Sequence, residues 1–175
     1  MYPYLRMFGQ LRKFRHALRL AITDTHESRH MCLPWDIDPW MELNNGRTLT
    51  LYDLGRIPMA IRMGFDTVMR AQGWGLTVAG NSTRYRRRVR MFDRVTMRSR
   101  VIGWDDRFLY MTQSMWRGDD CTSQMLLRSA VTSKTGIVAP AQVLRALGQP
   151  ETSPALPDWV QAWIAAESQR PWPPV

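Results

Sequence analysis

Trp35-Asp36-Ile37-Asp38-Pro39-Trp40-Met41-Glu42-Leu43-Asn44-Asn45-Gly46-Arg47 is the stretch that decides the fold, together with the apolar run that follows it to Gly64. It sets three carboxylates and two carboxamides within residues 36–45. An Asn pair ahead of a long apolar run marks a helix start, because an N-cap Asn accepts from the first free backbone N–H groups. Residues 44–64 are therefore predicted to form one helix of about five turns. Leu49, Leu51, Tyr52, Leu54, Ile57, Met59, Ala60, Ile61 and Met63 cover almost every side of it. A helix apolar nearly all round is a buried one. Pro58 is expected to kink it or mark a break, and Gly64 to stop it. An acidic loop thus feeds the positive end of a buried helix. A carboxylate beside unpaired backbone donors suits acyl chemistry.

Ahead of this stretch, Thr25 to Trp35 alternates loosely and reads as a strand. Residues 4–20 read as a basic amphipathic helix, with Leu5, Phe8, Leu11, Phe14 and Leu18 at three- and four-residue steps. Beyond the central helix the pattern turns to strands: Gly75 to Val89 with a bulge expected at residues 80–82, then Val95 to Trp104, Phe108 to Trp116 and Cys121 to Ser133. Asp105-Asp106 and Gly118-Asp119-Asp120 are turn signals between them, which makes the last three an antiparallel meander. Pro140 to Leu147 and Pro157 to Ser168 read as short helices, and 169–175 as a loose tail. The fold class is α+β: one antiparallel sheet wrapped around one long central helix, with peripheral helices at both ends. Residues 1–24 form the basic amphipathic segment and 25–168 a single domain.

The 175 residues carry a net charge of +9. The only lysines are Lys13 and Lys134, so the excess is arginine. This suits an anionic partner: phosphate, nucleic acid or an acidic membrane surface. No nucleic-acid motif accompanies the charge. The amphipathic helix can lie on an anionic bilayer. No run approaches the ~18 consecutive apolar residues of a membrane span, and the first twenty residues lack the apolar core of a signal peptide. Cys32 and Cys121 read as reduced core thiols of a cytosolic protein, which places the chain in the cytoplasm, with peripheral contact at the inner face of a membrane. His16, His26 and His30 show no metal spacing, so no metal is expected.

The run Asp36 to Thr48 resembles the D-x-D-x-x-G-H-x-N-N-A-R-Y signature of hot-dog-fold acyl-CoA thioesterases of the 4-hydroxybenzoyl-CoA type. Tyr52-Asp53-Leu54-Gly55-Arg56 is similar to that family's Y-E-x-A-R helix segment. Tyr85 to Asp93 is similar to its Y-x-R-x-x-x-x-G-D passage. Ile102 to Arg107, with the later 156–163 segment, resembles the thioesterase-superfamily-member branch. The resemblance implies a hot-dog fold, a homodimer or homotetramer, and acyl-CoA hydrolysis without a cofactor. It implies that Asp38 is nucleophile or general base, with the thioester carbonyl against backbone N–H groups near the helix start. The sequence departs from the signature at Met41-Glu42, where the family has Gly-His, at Thr48 for Tyr and at Phe92 for Gly.

A thioester is already activated, so its hydrolysis needs a placed base and an oxyanion site. Asp38 can deprotonate water or attack directly. Glu42, standing where the family has His, can carry a proton or stabilise the helix end. Strand alternation would put Asp36 and Asp38 on one side, with only one required at the cleft. Asn44, Asn45 and Gly46 supply the oxyanion donors, and Asn45 is also a catalytic candidate. Both Asn residues serve equally well as caps. Asp53 is a second carboxylate candidate, balanced by the pairing option with Arg56. Ser82 and Thr83 can support substrate or water, or be ordinary strand polarity. Residues 84–100 hold eight arginines against one acid, Asp93. Arginine forks suit the phosphates of coenzyme A, which makes Arg84, Arg86, Arg87 and Arg88 candidates for the mouth of a CoA groove. The competing function is a non-catalytic acyl-CoA or lipid-binding module at a membrane surface.

Overall fold

The central helix α2 spans Asn45–Arg62 and starts where the carboxamides predict. Asn44 is the cap: its Oδ1 accepts the Arg47 N–H at 3.2 Å. Pro58 does not break the helix, although it removes the N–H that the Leu54 carbonyl would otherwise accept. Leu51, Tyr52, Leu54 and Met59 are fully buried. Full burial of such an apolar side chain stabilises by roughly 1.5–3 kcal/mol, so this helix anchors the core.

The computed structural model describes residues 2–171 and 173–174. Part of the loose tail expected over 169–175 therefore lies outside the described residues. In chain order the remaining elements are α1 (Tyr4–Phe14), β1 (His26–Met31), a 3-10 turn (Pro34–Asp36), α3 (Phe65–Gln72), β2 (Gly75–Tyr85), β3 (Arg94–Trp104), β4 (Leu109–Arg117), β5 (Asp120–Ser133), β6 (Gly136–Val138), α4 (Pro140–Ala146) and α5 (Asp158–Ser168). The strands form one antiparallel sheet in the order β1-β3-β4-β5-β2, with β6 beside the end of β5.

The sheet curls around α2. Val95 and Met97 of β3, Met115 of β4, and Met125 and Leu127 of β5 meet Leu51, Tyr52 and Leu54 in one core. A Cβ placed on Gly55 would lie 2.5 Å from Met97 Sδ and 3.1 Å from Ser99 Oγ, so a larger residue here would force the buried Met97 side chain to shift. The alternate β5 residue, Leu126, turns to the other face and packs with Tyr110 and Val160 beneath α5. The architecture is helix, sheet, helix.

Several boundaries differ from the sequence reading. The first helix ends at Phe14 rather than Leu20, because Arg62 captures the chain beyond it. Arg62 Nε and Nη2 donate to the Leu18 carbonyl at 3.0 and 2.8 Å, and the Leu20 N–H donates to the Arg62 carbonyl. This helix also contributes Met7 to the central core, so it is part of the folded unit. The strand expected to Trp35 ends at Met31, and 34–36 turn into the 3-10 segment. The strand expected to Val89 stops at Tyr85. Its bulge falls between Val78 and Gly80, one step earlier than expected, leaving Ala79 as the extra residue. The short elements α3 and β6 are additions. Gly64 and Gly73, both left-handed, bracket α3.

Candidate functional site

The two loop aspartates have opposite environments. Asp36 ends the 3-10 turn and is fully buried. Its Oδ2 accepts the Leu33 N–H at 3.0 Å and Arg6 Nη1 at 2.6 Å, and its Oδ1 accepts Arg47 Nε at 3.0 Å and Nη2 at 2.7 Å. Burial alone would raise this carboxyl. The Leu33 hydrogen bond, then those from Arg47 and Arg6, overcome it and hold Asp36 below the usual carboxylate range. Asp36 is committed to structure, tying α1 and α2 to the loop.

Asp38 lies at the edge of a cleft of about 460 Å³. Its Oδ1 accepts the Trp40 N–H at 2.9 Å and the Glu42 N–H at 3.3 Å, which fixes the carboxylate. Its Oδ2 has no partner among the described residues. Simple alternation fails here because Asp36 belongs to the 3-10 turn and not to an extended strand, while Ile37 beyond it is extended. The loop closes on itself through Asp38 N–H to the Glu42 carbonyl and Met41 N–H to the Asp38 carbonyl, at 2.9 and 3.0 Å. Met41 takes φ 61° to do so.

The opposite wall of the cleft is the segment that leaves β2. The N–H groups of Arg86 and Arg87 both donate to the Thr122 carbonyl, at 2.8 and 3.1 Å, and the Leu43 N–H donates to the Val89 carbonyl at 2.8 Å. These bonds end the strand's alternation and bring Arg86, Arg87 and Arg88 to one cleft. The Arg86 guanidinium has no partner among the described residues. Arg88 Nε lies 2.9 Å from Glu42 Oε2, an ion pair across the cleft mouth. Thr48, Tyr85, Thr122 and Ser123 complete the lining. The Tyr85 hydroxyl donates to Asn45 Oδ1, and burial pushes that phenol up from its ordinary value. Behind it, the buried Tyr52 hydroxyl and Ser123 Oγ are 2.9 Å apart.

The structure therefore brings together Asp38, Glu42, Asn45 and Arg86 to Arg88. Asn44 is the helix cap and does not line the cleft. The N–H groups of Asn45 and Gly46 begin α2 and have no partner among the described residues, so the positive end of the helix macrodipole is open there; Asn45 lines the cleft, and Gly46 does not. Arg84 is not part of this cleft. It precedes the end of strand alternation and faces a separate hollow with Ser82, Gln124, Trp159 and Trp163. Thr83 Oγ1 is 3.4 Å from Asn81 Oδ1. Asp53 is also elsewhere, ion-paired with Arg56 on α2. Burial raises its carboxyl against the opposing charge of Arg56. Sequence alone does not mark Thr48, Tyr85, Thr122 or Ser123 as site residues. Tyr85 carries the one usable signal, its place in the Y-x-R passage. Among the described residues, no cluster of three His, Cys, Asp or Glu side chains is placed to hold a metal ion.

Comparison with known proteins agrees with this architecture. The chain is 29% identical over 143 residues to Protein THEM6 of Xenopus laevis, covering 79% of this chain and 67% of that protein. It shares the fold of a DHNA-CoA thioesterase from Staphylococcus aureus, with a TM-score of 0.61 at 12% identity over 82% of this chain and 91% of the other. A second Staphylococcus aureus protein, solved in complex with CoA, superposes with a TM-score of 0.58 at 12% identity over 81% and 95% of the two chains. The family model of the thioesterase-like superfamily matches residues 32–164, three quarters of the chain, and the protein with its hot-dog fold belongs to that superfamily.

Proposed function

We propose that this protein hydrolyses an acyl-CoA thioester to the free acid and CoA, with Asp38 as its working carboxylate. The observation that carries the reading is one cleft shared by three parts. These are a carboxylate with a free oxygen, the open N-terminus of α2 and an unpaired guanidinium at Arg86. In the general-base route, Asp38 Oδ2 takes a proton from water as the water oxygen bonds to the thioester carbon. The carbonyl oxygen becomes an oxyanion beside the Asn45 and Gly46 N–H groups. The intermediate then collapses, the C–S bond breaks, and the CoA thiolate takes up the proton. In the nucleophilic route, Asp38 Oδ2 bonds to the thioester carbon, the C–S bond breaks as the CoA thiolate leaves and takes a proton from solvent, and water then opens the resulting anhydride to the free acid and the Asp38 carboxylate. Isotope entering the Asp38 carboxylate from labelled water identifies the second route. One well-placed oxyanion donor contributes about 3–4 kcal/mol to the barrier. Arg86, Arg87 and Arg88 meet the anionic phosphates of CoA.

A second copy pairs along β2, the long open edge that exposes Leu76 and Val78. Light scattering of the purified protein gives the mass that tests for a homodimer or homotetramer.

The decisive measurement is thiol release from acyl-CoA substrates of graded chain length, with Asp38→Asn alongside. Loss of the positioned base lowers kcat by about 10²–10⁴. Undiminished turnover in Asp38→Asn removes that residue from the mechanism. Binding of acyl-CoA with no turnover on any chain identifies the protein as a binding module.

A further inference from the structure

The α1 helix is amphipathic in an unusual sense: both of its faces carry large apolar groups. Arg6, Met7, Gln10, Leu11 and Phe14 turn inward, with Met7 in the core. The opposite arc holds Tyr4, Leu5, Phe8, Arg12 and Lys13. There Leu5 is 89% exposed and Phe8 66%. The chain beyond α1 continues the same character through Arg15, Leu18 and Arg19, all exposed. Residues 1–20 contain no acid.

A groove of about 530 Å³ runs between this segment and α2, where Phe8, Phe14 and Ile61 lie among Arg12, Arg15 and Arg19. The guanidinium groups of these three arginines have no partner among the described residues. Exposure to water accounts for the cations but not for the projecting Leu5, Phe8 and Leu18. Burial against another protein core accounts for the apolar groups but not for unpaired arginines around them. A bilayer interface satisfies both at once: apolar side chains enter the acyl boundary while cations meet lipid phosphates. The surface is also held in place before contact. Arg6 pairs with buried Asp36, and Arg62 fixes the Leu18 carbonyl.

We infer that α1 and residues 15–19 form a docking surface for an anionic phospholipid bilayer, with Leu5 and Phe8 inserting and Arg12, Arg15 and Arg19 contacting headgroup phosphates. The inference stands independently of the thioesterase reading. In a cell it places the protein at the inner, anionic face of a membrane.

Co-sedimentation of the full chain with vesicles tests it. Vesicles of equimolar phosphatidylglycerol and phosphatidylcholine should bind the protein, and pure phosphatidylcholine vesicles should not. Raised salt should weaken the binding. Each arginine removed should lower partitioning about fivefold, the equivalent of ~1 kcal/mol per charge near an anionic surface. The triple variant Arg12→Gln, Arg15→Gln, Arg19→Gln therefore loses on the order of a hundredfold. The double variant Leu5→Asp, Phe8→Asp should also release the protein. All five side chains are exposed, and circular dichroism is the control for folding of the variants. Vesicle binding unchanged in both variants overturns the inference. So does a variant-dependent change in oligomeric mass with vesicle binding intact, which would make this face a contact between copies.

Discussion

Arg6 Nη1 and Asp36 Oδ2 meet at 2.6 Å across thirty residues of sequence, with the aspartate entirely buried. Arg47 closes on the other oxygen at 2.7 Å. One carboxylate therefore joins the N-terminal helix, the acidic loop and the start of the central helix. Removing it leaves two guanidinium groups part-buried without their anion. Breaking a buried ion pair from one side costs about 3–5 kcal/mol. Asp36→Ala should show that loss in urea unfolding, and Asp36→Asn most of it. Because the folded pKa is depressed, this stability is present above the unfolded value of about 3.9. It is lost as pH falls through the folded value. The difference between wild type and Asp36→Asn should therefore persist at neutral pH and shrink only in strong acid.

Two histidines govern a different pH window. Burial, with the positive charges of Arg62 and Lys13, pulls His26 down to about 4. Burial, with Arg6, Lys13 and His26, does the same to His30. His26 Nδ1 lies 2.9 Å from Arg62 Nη1. A guanidinium only donates, so Nδ1 must be the unprotonated acceptor. Protonation there would set two donors against each other. A depressed folded pKa means that stability is present above the unfolded value of about 6.5 and is lost as pH falls toward 4. Each histidine contributes a slope of up to about 1.4 kcal/mol per pH unit in that window. His30→Gln should remove about half of the combined slope, measured by urea unfolding across the same pH range.

The parts of this fold that were legible in sequence are those set by local chemistry. The Asn44-Asn45 pair announces the helix start because a carboxamide caps free backbone N–H groups, but it does not say which of the two is the cap. The meander follows from alternation interrupted at Asp105-Asp106 and Gly118. What sequence concealed is set by distant partners. The end of α1 depends on Arg62, more than forty residues away. Alternation groups Arg84 with Arg86 and pairs Asp36 with Asp38. Both groupings fail where the chain leaves the strand geometry, at the doubly used Thr122 carbonyl and in the 3-10 turn. In sequence Glu42 stands as a proton carrier or a helix-end charge. Its pairing with Arg88 could not be seen without the third dimension.

That pairing gives Glu42 a distinguishable signature. An anchor for Arg88 acts on ligand binding, whereas a proton carrier acts on the chemical step. Glu42→Gln should raise KM for acyl-CoA and leave kcat within about threefold. Alanine at Arg86, Arg87 and Arg88 together should raise KM further, by roughly tenfold at low ionic strength, and salt should narrow the gap. A kcat for Glu42→Gln as low as that of Asp38→Asn would instead assign the proton to Glu42.

Met41 and Phe92 share a conformation that side chains with a Cβ rarely adopt, φ 61° and 67°. Both stand where the resembled thioesterase signature has glycine, and both are exposed. The loop geometry is kept while the residue that makes it easy is absent. Left-handed backbone costs a non-glycine residue roughly 1–2 kcal/mol. Glycine avoids that cost but loses more chain entropy on folding, by roughly 0.5–1 kcal/mol. The two terms oppose each other, and relief of strain is the larger. Met41→Gly and Phe92→Gly should each stabilise the fold by about 0.5–1 kcal/mol. The sites are in separate loops, so the double variant should approach the sum. Thermal unfolding decides the matter. Destabilisation by either glycine would mean that the exposed Met41 or Phe92 side chain makes a contact worth more than the strain it carries, for instance with a second copy of the chain.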